Sequence, residues 1–193
     1  MLINALVFLL QTLASLFMLV VLLRFYLQVA RAPFQHPLVQ FVVALTNFAV
    51  IPLRRVIPSV RGYDSATLLL AWLVSFMLTV LLFFIGPMPY NFASPQAWLM
   101  FVLLAILGVF RISLHLLMGA VIVQAVLSWV SPYNPLRPIL SLITEPFLKP
   151  FHRFTVANVD LAPLVLLILV QLVLAVPMMW LELTLSGQVP LSM

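Results

Sequence analysis

The sequence predicts an all-α integral membrane protein. It would have about four transmembrane helices in two parallel repeats, each with a short interfacial or re-entrant helix in its cytoplasmic loop. Three observations lead there. Of 193 residues, 65% are apolar and only 7% are charged, whereas a soluble domain needs roughly a quarter of its residues charged to cover its surface. Four apolar runs, Ala5–Leu27, Ala66–Ile85, Trp98–Val130 and Leu161–Trp180, reach the roughly 20 residues that cross about 30 Å of hydrocarbon. Finally, one polar bend is written twice, "TNFAVIPLRRV" at 46–56 and "TEPFLKPFHRF" at 144–154.

The first run has no Lys or Arg before it and meets Arg24 only toward its end. That order reverses a cleavable signal, so a retained helix is expected. "HPLVQFVVALTNFAVIP" follows, with Gln40 and Asn47 seven apart and Pro52 near its end. Its apolar character predicts a deep, in part re-entrant segment broken by proline. In "DSATLLL" Asp64 stands where a helix enters lipid, and a carboxylate there satisfies amide donors that water cannot reach. An ion-relay role for such acids is the weaker reading.

Ser94-Pro95 reads as a cap and first helical position, and the stretch from there to Val130 is about 50 Å long as a helix. Either it tilts strongly, or its first part lies along the outer surface and the span begins near Arg111. That arginine either pairs with Glu182 or extends to the headgroups. Asn134 is expected to cap a helix of about ten residues with Pro135 first. Arg137, Ser141, Thr144 and Glu145 would share its polar face, and Pro146 and Pro150 would end it. Asp160 is expected to cap the fourth run.

Charge gives the orientation. Eight of nine cations cluster in two groups, Arg24, Arg31, Arg54, Arg55 and Arg61 before the second run, and Arg137, Lys149 and Arg153 before the fourth; the ninth is Arg111. Positive loops stay in the cytoplasm, so both termini and the connection "GPMPYNFASPQ" are expected outside. Shifting the chain so that Pro37 falls on Pro135 also places Thr46 on Thr144 and Pro52 on Pro150, and a two-residue slip matches Asp64 with Asp160. Two repeats follow, 1–86 and 98–193, joined by the external connection 87–97. Each crosses an even number of times, so the copies are parallel and not inverted.

Little points to catalysis. Cysteine is absent, and His36, His115 and His152 stand at no metal-ligand spacing; a lone helical histidine such as His115 more often bonds locally than holds haem. No Gly-rich phosphate loop or G-x-S-x-G turn occurs. No catalytic residue, metal or cofactor is expected. The net charge of +5 sits between apolar runs, which disfavours nucleic acid and favours anionic headgroups. Candidate lipid or partner contacts are Arg54, Arg55, Lys149 and Arg153. Thr46, Asn47, Arg137, Thr144 and Glu145 form the structural polar bends, with Glu145 expected to accept from Thr46 and Asn47 or to pair with a nearby arginine.

The stretches "HPLVQFVVALTNFAVIPLRRVIPSVRGYDSATLLL" and "SWVSPYNPLRPILSLITEPFLKPFHRFTVANVDLAPLVLL" resemble the YggT family of small bacterial inner-membrane proteins. The resemblance covers nearly the entire chain, tandem arrangement included. It implies a multi-pass protein of the bacterial inner membrane, linked to osmotic or envelope stress tolerance and potassium homeostasis, and it carries over no catalytic residue. The copies differ from each other: Asn47 stands against Glu145, and Leu53-Arg54-Arg55 against Phe151-His152-Arg153. The expected function is a non-enzymatic scaffold or assembly factor acting through the basic loops on lipids, a membrane-protein partner or a second copy. The alternative is an oligomeric ion channel or transport component.

Overall fold

The computed structural model describes residues 1–57, 63–86, 88–131, 133–151, 155–156 and 159–191, with the backbone alone for 155–156 and 159–160. The helices are α1 (Leu2–Val29), α2 (Pro37–Val56), α3 (Ser65–Ile85), α4 (Pro95–Val130) and α5 (Leu136–Leu148), then α6 (Ala162–Val173) and α7 (Met179–Gly187) joined through a π turn at Leu174–Met178. A 3-10 turn, Lys149–Phe151, and a hairpin of two-residue strands, β1 (Thr155–Val156) and β2 (Val159–Asp160), link α5 to α6. Among the described residues five stretches are long and apolar enough to cross a membrane: α1, α2, α3, α4 and Ala162–Gly187. That is one more than expected, and α2 is the addition.

α2 is not broken at Pro52. His36 caps its start, Nδ1 accepting the Leu38 N–H at 3.2 Å, and Pro37 occupies a first-turn position where its missing N–H costs nothing. Val39, Val42, Thr46 and Val50 form one buried stripe, which holds the helix by packing. Pro52 removes only the bond to the Phe48 carbonyl, and the last turn carries Arg54 and Arg55, which favour the carbonyl end.

The register of the bundle shows where α2 lies. α1 and α3 run antiparallel, Val21 and Leu22 clustering with Ala71, so the end of α1 and the start of α3 share one end of the pair. Val39 and Val42 of α2 cluster with Leu27 near the end of α1, while Arg54 bonds Asp64 at the start of α3. Both ends of α2 therefore meet the same end of the pair. α5 repeats this in the second half: Leu148 clusters with Leu117 and Val121 of α4 and with Ala162 of α6. The two halves join there too, since His36 Nε2–H donates to the Pro135 carbonyl at 3.2 Å and Ile139 and Ile143 share the cluster of Leu27.

Other expectations change. α5 has 13 residues and passes through Pro146, with Pro150 in the 3-10 turn; a proline one turn from the end forfeits a single bond. Asn134 lies one place before the cap residue Pro135, yet its Oδ1 accepts the Leu136 N–H at 2.9 Å. The fourth run extends to Gly187, because the π turn absorbs Pro177. α4 is one unbroken helix of 36 residues. Its first part does not lie apart on a surface: Ala97, Met100 and Phe101 pack with Phe76, Phe83 and Val189.

α3 approaches α4 closely at Gly108, where an added Cβ would collide with Ser75 Oγ. Ser75 Oγ–H donates to the Ala105 carbonyl at 2.9 Å. Gly108→Ala should displace that hydroxyl and lower stability by about 1 kcal/mol, the order of one buried hydrogen bond. Ser75→Ala combined with it should restore part of the loss. Thermal unfolding of the single and double variants in detergent checks this; equal melting of wild type and Gly108→Ala would contradict it.

Candidate functional site

The polar side chains of the basic end are organised around two buried threonines. Thr46 and Thr144 are both 0% exposed, and each hydroxyl bonds back along its helix, Thr46 to the Val42 carbonyl at 2.7 Å and Thr144 to the Leu140 carbonyl at 3.0 Å. Each also meets a polar side chain from the long helix beside it. Arg24, 6% exposed, donates from Nη1 to Thr46 Oγ1 at 2.7 Å, Asn47 Oδ1 at 2.9 Å and the Val43 carbonyl at 3.4 Å. In the second half the Gln124 carboxamide takes the place of the guanidinium and bonds Thr144. One arrangement is thus built twice, charged in the first copy and neutral in the second. Thr144 points into the protein, not onto the polar face expected for α5.

Beside this pair, Asp64 performs the expected cap: its Oδ1 accepts the Thr67 N–H at 3.4 Å, and Oδ2 accepts from the Thr67 hydroxyl. It also takes both Nε and Nη2 of Arg54. The Asp64 side chain is 3% exposed and that of Arg54 46%. Burial pushes the Asp64 carboxyl up, but the hydrogen bonds from Arg54 and Thr67, with the arginine's charge, outweigh it and hold the carboxyl below its usual range. Arg54 is therefore committed to Asp64.

The remaining candidates are dispersed. Arg55 and Lys149 are exposed, Arg137 is half-buried and Glu145 is exposed. Thr46 and Asn47 meet Arg24 where Glu145 was expected. Arg153 lies outside the described residues, as do Arg61, His152 and the side chain of Asp160; α6 begins after Asp160, with Leu161 at its cap. Sequence reasoning counted Arg24 only as a topological charge. The available signal was its register: Arg24 and Gln124 fall at nearly the spacing that separates the two threonines.

A cleft of about 730 Å³ is lined by α1, α3, α4 and α7, with Ser15, Ser75 and Thr79 on its walls, and reaches the last turns of α3 and α7. There Arg111 pairs with Glu182, one of the two outcomes foreseen for that arginine. His115 Nδ1–H donates to the Arg111 carbonyl at 2.8 Å.

The comparison with known families mirrors this duplication: the CCB3/YggT family matches residues 3–85 and again residues 103–181. The chain belongs to the CCB3/YggT family, in tandem form. An uncharacterised Pseudomonas aeruginosa protein is 38% identical over 166 residues, covering 83% of this chain and 82% of the relative. An uncharacterised Vibrio alginolyticus protein is 36% identical over 168 residues, 86% and 89% of the two chains. The uncharacterised protein YggT of Escherichia coli K12 is 34% identical over 175 residues, 88% and 87%. No solved structure matches. Membership in CCB3/YggT and the apolar helices together make this a multi-pass membrane protein. Each matched segment contains one of the buried threonines with its polar partner.

Because the folded Asp64 carboxyl titrates below its unfolded value, its contribution is complete above the ordinary carboxylate pKa of about 3.9. It is lost as pH falls through the lower folded value. Asp64→Asn should cost about 1–2 kcal/mol at neutral pH, through the weakened cap and the unpaired Arg54, a figure kept low because Arg54 is half-exposed. Melting curves between neutral pH and about pH 3 should converge for the two proteins at the acid end; parallel curves would remove the carboxylate from this role.

Proposed function

We propose that this protein is a non-enzymatic scaffold or assembly factor of the bacterial inner membrane. In this reading α1, α3, α4 and Ala162–Gly187 cross, as parallel repeats 1–86 and 98–193, and α2 and α5 lie across the cytoplasmic end of the bundle. The observation that carries it is that both ends of α2 meet the same end of the α1–α3 pair, Val39 at Leu27 and Arg54 at Asp64. A helix so placed presents one face to the bundle and the other to headgroups or a partner. Phe41 and Ile51 are exposed along α2, while Val39, Val42, Thr46 and Val50 pack inward and Phe48 meets Phe17 of α1. Arg24, Arg31, Arg54, Arg55 and Lys149 gather at that end, which supports a cytoplasmic placement with the termini outside. The family resemblance supplies the tie to osmotic or envelope stress.

A second reading, an ion-transport component, draws on the cleft in which Arg111 and Glu182 meet between the helices. Ionisable groups within membrane helices usually serve ion or substrate pathways.

Single cysteines test the first reading cleanly, because the native chain has none. In intact cells an impermeant thiol reagent should label Asn91→Cys, and Arg55→Cys and Lys149→Cys only after permeabilisation. Labelling of position 55 from outside would overturn the proposed placement. Potassium flux through purified protein in liposomes would replace the scaffold with the transport reading; tight liposomes uphold the scaffold.

A further inference from the structure

The strongest unassigned feature is a pocket of about 740 Å³ between the end of α1, the connection to α2 and α2 itself. Three arginines, Arg24, Arg31 and Arg54, border it, and Phe34, Val42 and Ile51 contribute apolar wall. Arg24 is nearly buried, yet its hydrogen bonds leave from Nη1 alone and end on neutral acceptors. Among the described residues neither Nε nor Nη2 makes a hydrogen bond, and the ion pairs are Arg54–Asp64 and Arg111–Glu182. Asp64 acts on Arg24 through its charge, but its hydrogen bonds go to Arg54 and Thr67, so the nearly buried cation is only partly compensated. With Arg54 neutralised by Asp64, the pocket keeps an excess of positive charge.

Arg31 provides a second, independent observation. Its φ is 53°, in the left-handed region where a side chain is disfavoured and glycine is the ordinary occupant. The two bonds that close α1 there, Ala32 N–H to the Leu27 carbonyl at 2.9 Å and Arg31 N–H to the Gln28 carbonyl at 3.0 Å, form a Schellman ending with arginine in the glycine position. The backbone gains nothing from arginine at this point. Arg31 borders the pocket, and a strained residue kept at such a place points to a role for its side chain.

The second repeat supplies the contrast. At the spacing that sets Arg24 against Gln124, Arg31 falls on Ser131. The two arginines not held by Asp64 are thus absent from the second copy, although its threonine is kept.

We propose that this pocket binds the phosphate group of an anionic phospholipid, one site per chain, in the first repeat alone. Guanidinium groups match phosphate oxygens in pairs. The apolar wall beside them suits the glycerol and first acyl carbons, which free phosphate lacks. The proposal rests on the basic end lying among headgroups. Cysteine labelling tests that reading separately, so either can fail without the other.

The decisive variant is Arg31→Gly, which removes the charge and relieves the backbone. Purified protein in detergent should be stabilised by added phosphatidylglycerol and not by phosphatidylcholine or inorganic phosphate. Arg31→Gly should melt at or above the wild-type temperature without lipid, while its apparent affinity for phosphatidylglycerol falls about tenfold or more, the order of one charge-assisted hydrogen bond. Arg24→Gln should show the same loss, and Lys149→Gln should retain wild-type affinity. If Arg24→Gln does not fold, Arg31→Gly alone decides. Unchanged lipid affinity in Arg31→Gly overturns the site. A shift reproduced by inorganic phosphate overturns the lipid and leaves a free-anion site.

Discussion

Hydrocarbon offers no hydrogen bonds, so every polar group within the bundle must find its partner inside the protein. Among the described residues no buried side-chain nitrogen or oxygen lacks one. Hydroxyls on the long helices meet the constraint by bonding back one turn, as Thr79 does to the Ser75 carbonyl and Ser113 to the Val109 carbonyl. Prolines meet it by position. Pro52 and Pro146 stand near helix ends, and Pro177, in mid-helix, is absorbed by widening the backbone into a π turn. The same demand explains why Arg24 carries Thr46 and Asn47 with it.

Duplication under this constraint leaves a frame that is shared and details that are not. Both copies bury a threonine of the shorter helix, α2 or α5, against a polar residue of the preceding long helix, but only the first uses a charge. The helix contacts diverge as well. Gly108 lets α3 close on α4, whereas the matching place in α1 is Phe8, 65% exposed, and a ring there bars an equally close approach. α1 and α7 instead line the open cleft that holds Arg111 and Glu182.

Much of this was legible in the sequence because it depends on local chemistry. Apolar runs gave helices, the repeated Thr and Pro spacing gave the duplication, and Asp64 before an apolar run gave a cap. What escaped depends on what covers each face. Hydropathy cannot say whether lipid or protein lies against α2, so the segment carrying Val39, Val42, Thr46 and Val50 reads in sequence as broken by Pro52 instead of one continuous helix. Prolines were overvalued as breakers because one lost bond is small beside the packing of a whole helix face. Arg24 was read for its charge and not for its register, and the left-handed Arg31 left no mark in the composition.

Composition makes α2 long and apolar enough to cross a membrane, while its contacts bear on where its two ends lie. If α2 crossed, the start of α3 would lie opposite the end of α1, yet Gln28 and Asp64 border one small pocket together with Arg54. A fifth crossing would also send the second basic loop to the other face from the first. That would separate His36 from the Pro135 carbonyl and Leu27 from Ile139, pairs that stand together. It would also carry Arg137 and Lys149 away from Arg24 and Arg31. The contacts at both ends of α2 and those between the two halves thus belong to one end of the bundle. α2 has the apolar length to span hydrocarbon, yet the contacts at its two ends tie it to one end of the α1–α3 pair.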